Sequence, residues 1–218
     1  MMIFNIAIGE SRGAVMGVSF VIFIAPGVMM MTVIQNAFAN SSSSLISAKI
    51  QGNIVDTLMP PLSAGELLIG YLSGALGRGI LISTAMMVGM ITLLGVKITY
   101  PVLALCFILL GSIFLGTLGI IAAIYANKFD QMSTITNFVI TPLAFLSGSF
   151  YSIEALPEEV RQLAYYNPIF YLIDGTRYSI LGISDCNPIT SFTALACCVL
   201  VVYFLAWRML STGYRLKP

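Results

Sequence analysis

Long apolar stretches without charge alternate along the chain with short segments that hold most of the acidic and basic residues. A helix needs about 20 apolar residues to cross the hydrocarbon of a bilayer. Stretches of that kind predict five membrane spans, near residues 16–39, 68–95, 101–125, 132–152 and 188–208. The pattern therefore predicts an all-α polytopic membrane protein, with residues 1–218 forming a single transmembrane domain.

Composition supports the membrane assignment and excludes several functions. Of the 218 residues, 58% are hydrophobic and 9% are charged, whereas soluble domains carry about 25% charged residues. The chain has no histidine, which is the commonest general base and metal ligand. The four cysteines form no C-x-x-C pair, and no basic cluster indicates nucleic-acid binding. We therefore expect no catalytic residue, no metal site and no nucleic-acid partner.

Basic residues predict the orientation in the membrane. Arg208 ends the last predicted span, Arg215 and Lys217 follow it without any acid, and basic residues next to spans favour the cytoplasmic side. A cytoplasmic C-terminus and five spans place the N-terminus outside. Residues 1–10 resemble the last turns of an earlier span and lack a signal peptide. We therefore expect a start inside a longer gene or a truncated chain, with a genuine N-out protein as the alternative.

Between the first two spans, residues 41–66 have the spacing of an amphipathic helix at the cytoplasmic face. Its apolar positions are Leu45, Ile46, Ile50, Ile54 and Leu58. Pro60-Pro61 should end that helix, because proline lacks the amide donor. Ser63 and Glu66 have capping-box spacing and should start the next helix. The segment either lies on the membrane surface or receives force from a cytoplasmic partner.

Residues 153–182 predict two short helices on the outer side. Pro157 suits a first helical turn, and Asn167-Pro168 suits an N-cap followed by the first residue of a helix. Neither helix is long or apolar enough to cross, so the pair lies at the outer interface or re-enters partly. Asp174 and Arg177 are three residues apart, a spacing that allows an ion pair on one helix face.

One charge lies inside a predicted span. Arg78 comes about 11 residues after the cytoplasmic start of the second span. An arginine at the centre of a bilayer costs about 2.5 to 3.5 kcal/mol on insertion scales. Its side chain could snorkel to the headgroups or contact another helix, and the other possibility is a role in a transport path.

Two motifs resemble the ABC-2 type transporter permeases. Residues 145–182, FLSGSFYSIEALPEEVRQLAYYNPIFYLIDGTRYSILG, are similar to that family's signature, F-L-S-G-x-F-Y followed by L-P, a helix, N-P and an acidic-x-x-R helix. Residues 49–66, KIQGNIVDTLMPPLSAGE, resemble its cytoplasmic G-x-x-x-D-x-L-x-x-P segment. Members of the family usually begin with an interface helix and a further span, and we expect this sequence to lack both.

The resemblance implies a permease subunit of an ATP-driven exporter in the inner membrane of a bacterial cell. Two permeases, identical or paired, would form the path, and two ABC ATPase subunits would drive it. The chain has no G-x-x-x-x-G-K-[ST] loop, so ATP and Mg²⁺ would be bound by those partners, and this chain itself would hold no cofactor. The implied substrates are lipid-linked saccharides, polysaccharides or hydrophobic drug-like molecules.

The resemblance also implies roles for particular residues. The ATPase-coupling residues would be Lys49, Gln51, Gly52, Asp56, Pro60 and Pro61. The outer gate would comprise Phe145, Gly148, Phe150, Tyr151, Pro157, Asn167, Pro168, Asp174 and Arg177. Two other functions stay open, a structural or regulatory membrane subunit without transport activity and a membrane-embedded transferase.

Overall fold

The computed structural model describes residues 14–54, 59, 61–153 and 157–215. An antiparallel pair of two-residue strands, β1 (Ala14–Val15) and β2 (Val18–Ser19), precedes the helices. The helices are α1 (Phe20–Ile50), α2 (Ala64–Leu94), α3 (Pro101–Tyr125), α4 (Phe129–Ile135), α5 (Thr141–Leu146), α6 (Glu158–Tyr165), α7 (Pro168–Leu181) and α8 (Pro188–Thr212). The fold is α-helical, as predicted, apart from the short strand pair.

Helix α1 begins later and ends later than the predicted first span at 16–39. Residues 16–19 belong to the strand pair, where Met16 and Gly17 both have positive φ, as a tight two-residue hairpin turn requires. At its other end the helix continues to Ile50. Leu45, Ile46 and Ile50 are therefore part of α1, and the separate helix predicted within residues 41–66 is wrong for these positions.

The serine run after Asn40 is accommodated within α1. Hydroxyls of Ser42, Ser43 and Ser44 donate to the carbonyls of Ala39 or Asn40, one turn earlier. Serine normally competes with helix formation by bonding to nearby backbone groups. Here those bonds run along the helix, so the polar run does not interrupt it.

Helix α2 starts where the capping box predicted. The Glu66 carboxylate accepts from the backbone N–H and the hydroxyl of Ser63 at 2.7 and 2.8 Å, and the N–H of Glu66 donates to the Ser63 hydroxyl. Two free amides at the helix start are thereby satisfied. The predicted third span coincides with α3, and α8 extends the predicted fifth span to Thr212.

The predicted fourth span, 132–152, is not a single regular helix. It comprises α4, a π-helical turn at Thr136–Ile140, and α5. Pro142 has no N–H, and its ring would clash with the carbonyl four residues earlier, so a wider turn before it relieves the conflict. By length and apolarity, α1, α2, α3 and α8 could each cross a membrane. A fifth crossing at 132–152 stays a prediction.

The chain divides into two compact units. The first takes the described residues up to Thr32, with Ile82–Ile108 and Leu143–Leu195. It contains α6 and α7 and small apolar clusters such as Ile153, Ala164 and Phe170. The second takes Val33–Leu81, Leu109–Pro142 and the described residues from Ala196 onward. Its core includes Leu45, Ile46, Leu68, Leu72, Ile120, Ala123, Ile124, Ala206 and Leu210.

Candidate functional site

The two short helices predicted on one side of the membrane are present, and their starts are confirmed. Pro157 lies directly before α6, whose first turn carries Glu158 and Glu159 beside the positive end of the helix dipole. Asn167 caps α7 by accepting from the N–H of Ile169 at 3.1 Å, and Pro168 is the first helical residue. Neither helix is long enough to cross a bilayer.

Asn167 also connects α7 to the end of α5. Its amide donates to the carbonyl of Leu143 at 3.1 Å and to the hydroxyl of Ser147 at 2.7 Å. At the far end of α7, the backbone N–H of Tyr100 donates to the backbone carbonyl of Ser179 at 2.8 Å. Both ends of α7 are therefore fixed by hydrogen bonds to other segments of the same unit.

Arg177 lies at the centre of a buried polar network in this unit. Its guanidinium pairs with Asp185 at 3.2 Å, and each side chain is 1% exposed. The guanidinium also donates to the carbonyl of Gly148, and its central carbon, Cζ, lies 4.1 Å from the ring centroid of Phe23. The network joins α7 to α1, to the segment after α5 and to the loop after α7.

The ion pair that the spacing of Asp174 and Arg177 allows is not formed, since Arg177 pairs with Asp185. Asp174 instead accepts from the backbone N–H groups of Asp185 and Cys186, at 2.8 and 3.2 Å. Asp185 in turn accepts from the hydroxyl of Ser152. Burial raises the pKa of Asp174 to about 6, against the opposing effects of the Asp185 N–H and of Arg177. Asp174 and Arg177 therefore both find their partners in the loop after α7, and not in each other.

The remaining predicted gate residues lie around the start of this network. Gly148 has a φ of +75°, which favours glycine. A methyl group on Gly27 of α1 would meet the backbone oxygen of Ser149 at 2.7 Å, so α1 and this segment are in close backbone contact. Phe145 and Phe150 stack with centroids 5.2 Å apart, and Tyr151 is half-buried. Of these predicted gate residues, the structure shows Gly148 in direct contact with Arg177.

Two of the predicted coupling residues, Lys49 and Gly52, lie at the end of α1. The Lys49 ammonium donates to three carbonyls at the end of α3, those of Ala123, Ile124 and Ala126, at 3.1, 2.8 and 2.8 Å. A cation at this position complements the negative end of the helix dipole. Gly52, with a φ of +76°, follows the end of α1 and is exposed. Lys49 therefore holds the ends of α1 and α3 together.

The other coupling residues have fewer contacts. Gln51 is exposed and donates to the hydroxyl of Ser47 at 3.1 Å. Pro61 is exposed two residues before the capping serine of α2. Asp56 and Pro60 lie outside the described residues.

Two grooves on either side of α1 carry polar side chains that the sequence reasoning missed. The first, about 290 Å³, is lined by Ala39, Ser42, Ser43, Phe129, Met132, Ser133, Thr136 and Asn137. The second, about 380 Å³, is lined by Asn40, Ser44, Leu62, Glu66, Leu67, Gly70, Tyr71 and Gly74. We call the set Asn40, Ser42, Ser43, Ser44, Ser133, Thr136 and Asn137 the polar face. The π-helical turn begins in the first groove, and such turns are frequent at functional sites.

These features define a polytopic α-helical membrane protein with a polar face along apolar helices and a non-crossing helix pair fixed by buried charges. The sequence matches the ABC-2 type transporter family over residues 1–181, and the chain belongs to that family. It is therefore a multi-pass inner-membrane permease and not an enzyme in its own right.

Named relatives are similar over most of their length. The inner membrane transport permease YadH of Escherichia coli strain K12 is 34% identical over 215 residues, which cover 99% of this chain and 84% of the relative. Nodulation protein J of Rhizobium leguminosarum bv. viciae is 28% identical, covering 91% of this chain and 76% of the relative. Nodulation protein J of Rhizobium meliloti strain 1021 is 25% identical, with coverages of 97% and 80%.

Proposed function

We propose that this permease exports its substrate along the polar face, driven by ATP hydrolysis in separate ABC ATPase subunits. The polar face carries the proposal. Its hydroxyl and amide groups lie on α1, on α4 and at the start of the π-helical turn. Polar groups at membrane depth normally face a bundle interior or a water-filled cavity. A transport path supplies such a cavity.

Four of the polar-face side chains are exposed, namely Ser43, Ser44, Ser133 and Asn137. Against lipid tails this exposure would be unfavourable, because hydrocarbon offers no hydrogen-bond partner. A second permease, identical or paired, would enclose the face and complete the path. The hydroxyl and amide lining favours a substrate with a polar headgroup, such as a lipid-linked saccharide or a polysaccharide, over a purely hydrophobic drug.

ATP-driven movement would enter at the end of α1. The given sequence contains no G-x-x-x-x-G-K-[ST] loop, and in this proposal a partner holds ATP and Mg²⁺. Gly52 is exposed shortly after Lys49, whose hydrogen bonds join the ends of α1 and α3. A force on this turn would therefore act on both helices. This assignment places the turn and the C-terminus in the cytoplasm, and α6 and α7 at the outer face as a gate.

The partner and the coupling turn are tested together. The tagged full chain is purified from its native cells, an ATPase that co-purifies is identified, and its ATP hydrolysis is measured for wild type and two glycine variants. Gly52 and Gly95 both have positive φ, +76° and +64°, with open space around them. Valine is therefore strained by a similar amount at both positions, about 1 to 2 kcal/mol.

We expect Gly52→Val to lower the ATPase activity or the yield of the complex, and Gly95→Val to leave both unchanged. Equal activity of the two variants would contradict the coupling role of residue 52. Cells lacking the permease should accumulate the substrate, and a comparison of their lipids and saccharides with those of wild type identifies it. No ATPase in the purified complex and no accumulated compound would favour the non-transporting subunit.

A further inference from the structure

Arg78 lies at the centre of helix α2. Its neighbour Gly79 is the central residue of the 31-residue α2. Gly79 packs so closely against Ser112 of α3 and Val33 of α1 that a methyl group would overlap the Ser112 hydroxyl. Both contacts come from central turns of their helices. Because α2 begins at Ala64, Arg78 lies further along its helix than the predicted start of the span at residue 68 implies.

The snorkelling alternative does not fit this depth. Half of a hydrocarbon core is about 15 Å, which is longer than an arginine side chain. Arg78 is exposed, and within the described residues no hydrogen bond or ion pair involves it. A charge at this depth is expensive unless it faces water or an anion. Arg78 thus needs a partner from outside the described fold.

In a second copy of this chain, the described spanning helices offer no acid at the level of Arg78 along α2. Across α1, α2, α3 and α8, the one acidic residue is Glu66, in the first turn of α2. Glu66 is 12 residues from Arg78 and already caps the helix start. Across α4 and α5, the one acid is Asp130, in the first turn of α4. The described spanning helices therefore supply no counter-charge, and this favours one that comes from another molecule.

The polar face reaches Arg78 through the second groove. Gly74 lines that groove, and a methyl group on it would lie 2.7 Å from the amide nitrogen of Asn40. Arg78 follows Gly74 by four residues, so it lies one turn further along the same helix face. The guanidinium therefore continues the row of hydrogen-bonding groups formed by Asn40 and Ser44.

We propose that Arg78 binds an anionic group of the transported amphiphile, a phosphate, sulfate or carboxylate, as the polar headgroup passes along the polar face. Arginine suits such oxyanions because its planar fork donates two parallel hydrogen bonds. This inference rests on the proposed export function and adds that the substrate is an anionic amphiphile.

Binding to the full chain in phosphatidylcholine nanodiscs tests the proposal, without nucleotide or ATPase. The probes are a fluorescent alkyl phosphate and the matching alkyl glucoside, which is neutral. Wild type should bind the alkyl phosphate about tenfold more tightly or better, as a charge-assisted pair predicts. Arg78→Gln should remove that preference, and Arg78→Lys should keep part of it. Lys97→Gln, which removes an exposed charge just after α2, should have no effect.

Equal affinities of wild type and Arg78→Gln for the alkyl phosphate would overturn the proposal. A resident lipid is the other source of the anion. Native mass spectrometry in nanodiscs with phosphatidylglycerol distinguishes it, since a lipid lost on Arg78→Gln but not displaced by the alkyl phosphate would also overturn the substrate assignment. The binding assay needs no ATPase, so a failure to find ATP-driven export would leave the binding result unaffected. In the same way, a failure of alkyl phosphate binding would leave the test of ATP-driven export unaffected.

Discussion

Two arginines in this protein lie in opposite environments. Arg177 is 1% exposed and has an aspartate, a backbone carbonyl and an aromatic ring as neighbours. Arg78 is exposed at the centre of a spanning helix and has no hydrogen-bond or ion-pair partner within the described residues. A charge with buried partners stabilises a particular arrangement of segments, whereas one without partners is available to a ligand. Lys49 is intermediate, since its partners are carbonyls at a helix end.

The largest effect is expected from breaking the Arg177 pair. Asp185→Ala leaves a buried guanidinium without its counter-charge, which destabilises a fold by about 3 to 5 kcal/mol. The measurement is the thermal unfolding midpoint of the purified chain in a mild detergent. Glu158→Ala is the matched control, because it removes an acid from the exposed Glu158–Arg161 pair, and such pairs contribute about 0 to 1 kcal/mol.

A double variant, Arg177→Met with Asp185→Leu, separates the pair's net contribution from the cost of an unpaired charge. Replacing both charges by apolar groups of similar size is often neutral or stabilising. We expect it to recover most of the midpoint lost in Asp185→Ala. If Asp185→Ala unfolded at the same temperature as Glu158→Ala, the network around Arg177 would not be what fixes α7.

Lys49→Met should have a smaller effect. The variant removes three hydrogen bonds to the end of α3 and a favourable dipole interaction, but it leaves carbonyls rather than a charge without a partner. A loss of about 1 to 2 kcal/mol is expected. Lys128→Met removes an exposed lysine close to the end of α3 and is the control in the same unfolding assay. Equal unfolding midpoints for the two variants would contradict the role of Lys49 in holding the ends of α1 and α3 together.

Local signals predicted the helix starts well. The Ser63–Glu66 box and the Asn167-Pro168 cap depend on groups within three residues of each other, so the sequence contains the whole interaction. The long apolar run of α3 predicted both ends of that helix. The break before α5 was missed, although Pro142 is a recognisable signal for it.

The partners of the charged residues were not predictable in the same way. Asp185 lies eight residues after Arg177, in a loop whose path no periodicity specifies. The carbonyl partners of Lys49 are 74 to 77 residues away and belong to the backbone, which leaves no residue pattern at all. Ser42, Ser43 and Ser44 of the polar face were assigned to a surface segment, because serines favour caps and turns when they are considered without tertiary context. Sequence spacing identifies groups that can interact within an element, but not those that meet across elements.

The smallest effect on stability is expected at Arg78. Because the described fold gives its guanidinium no partner, Arg78→Met should change the free energy of unfolding by less than about 0.5 kcal/mol, as for a surface substitution. The unfolding midpoint in detergent should therefore match that of wild type, while binding of the alkyl phosphate is lost. A loss as large as that of Lys49→Met would show that Arg78 is held by the fold. In that case the arginine would be structural, and its exposure at the centre of α2 would not indicate a ligand site.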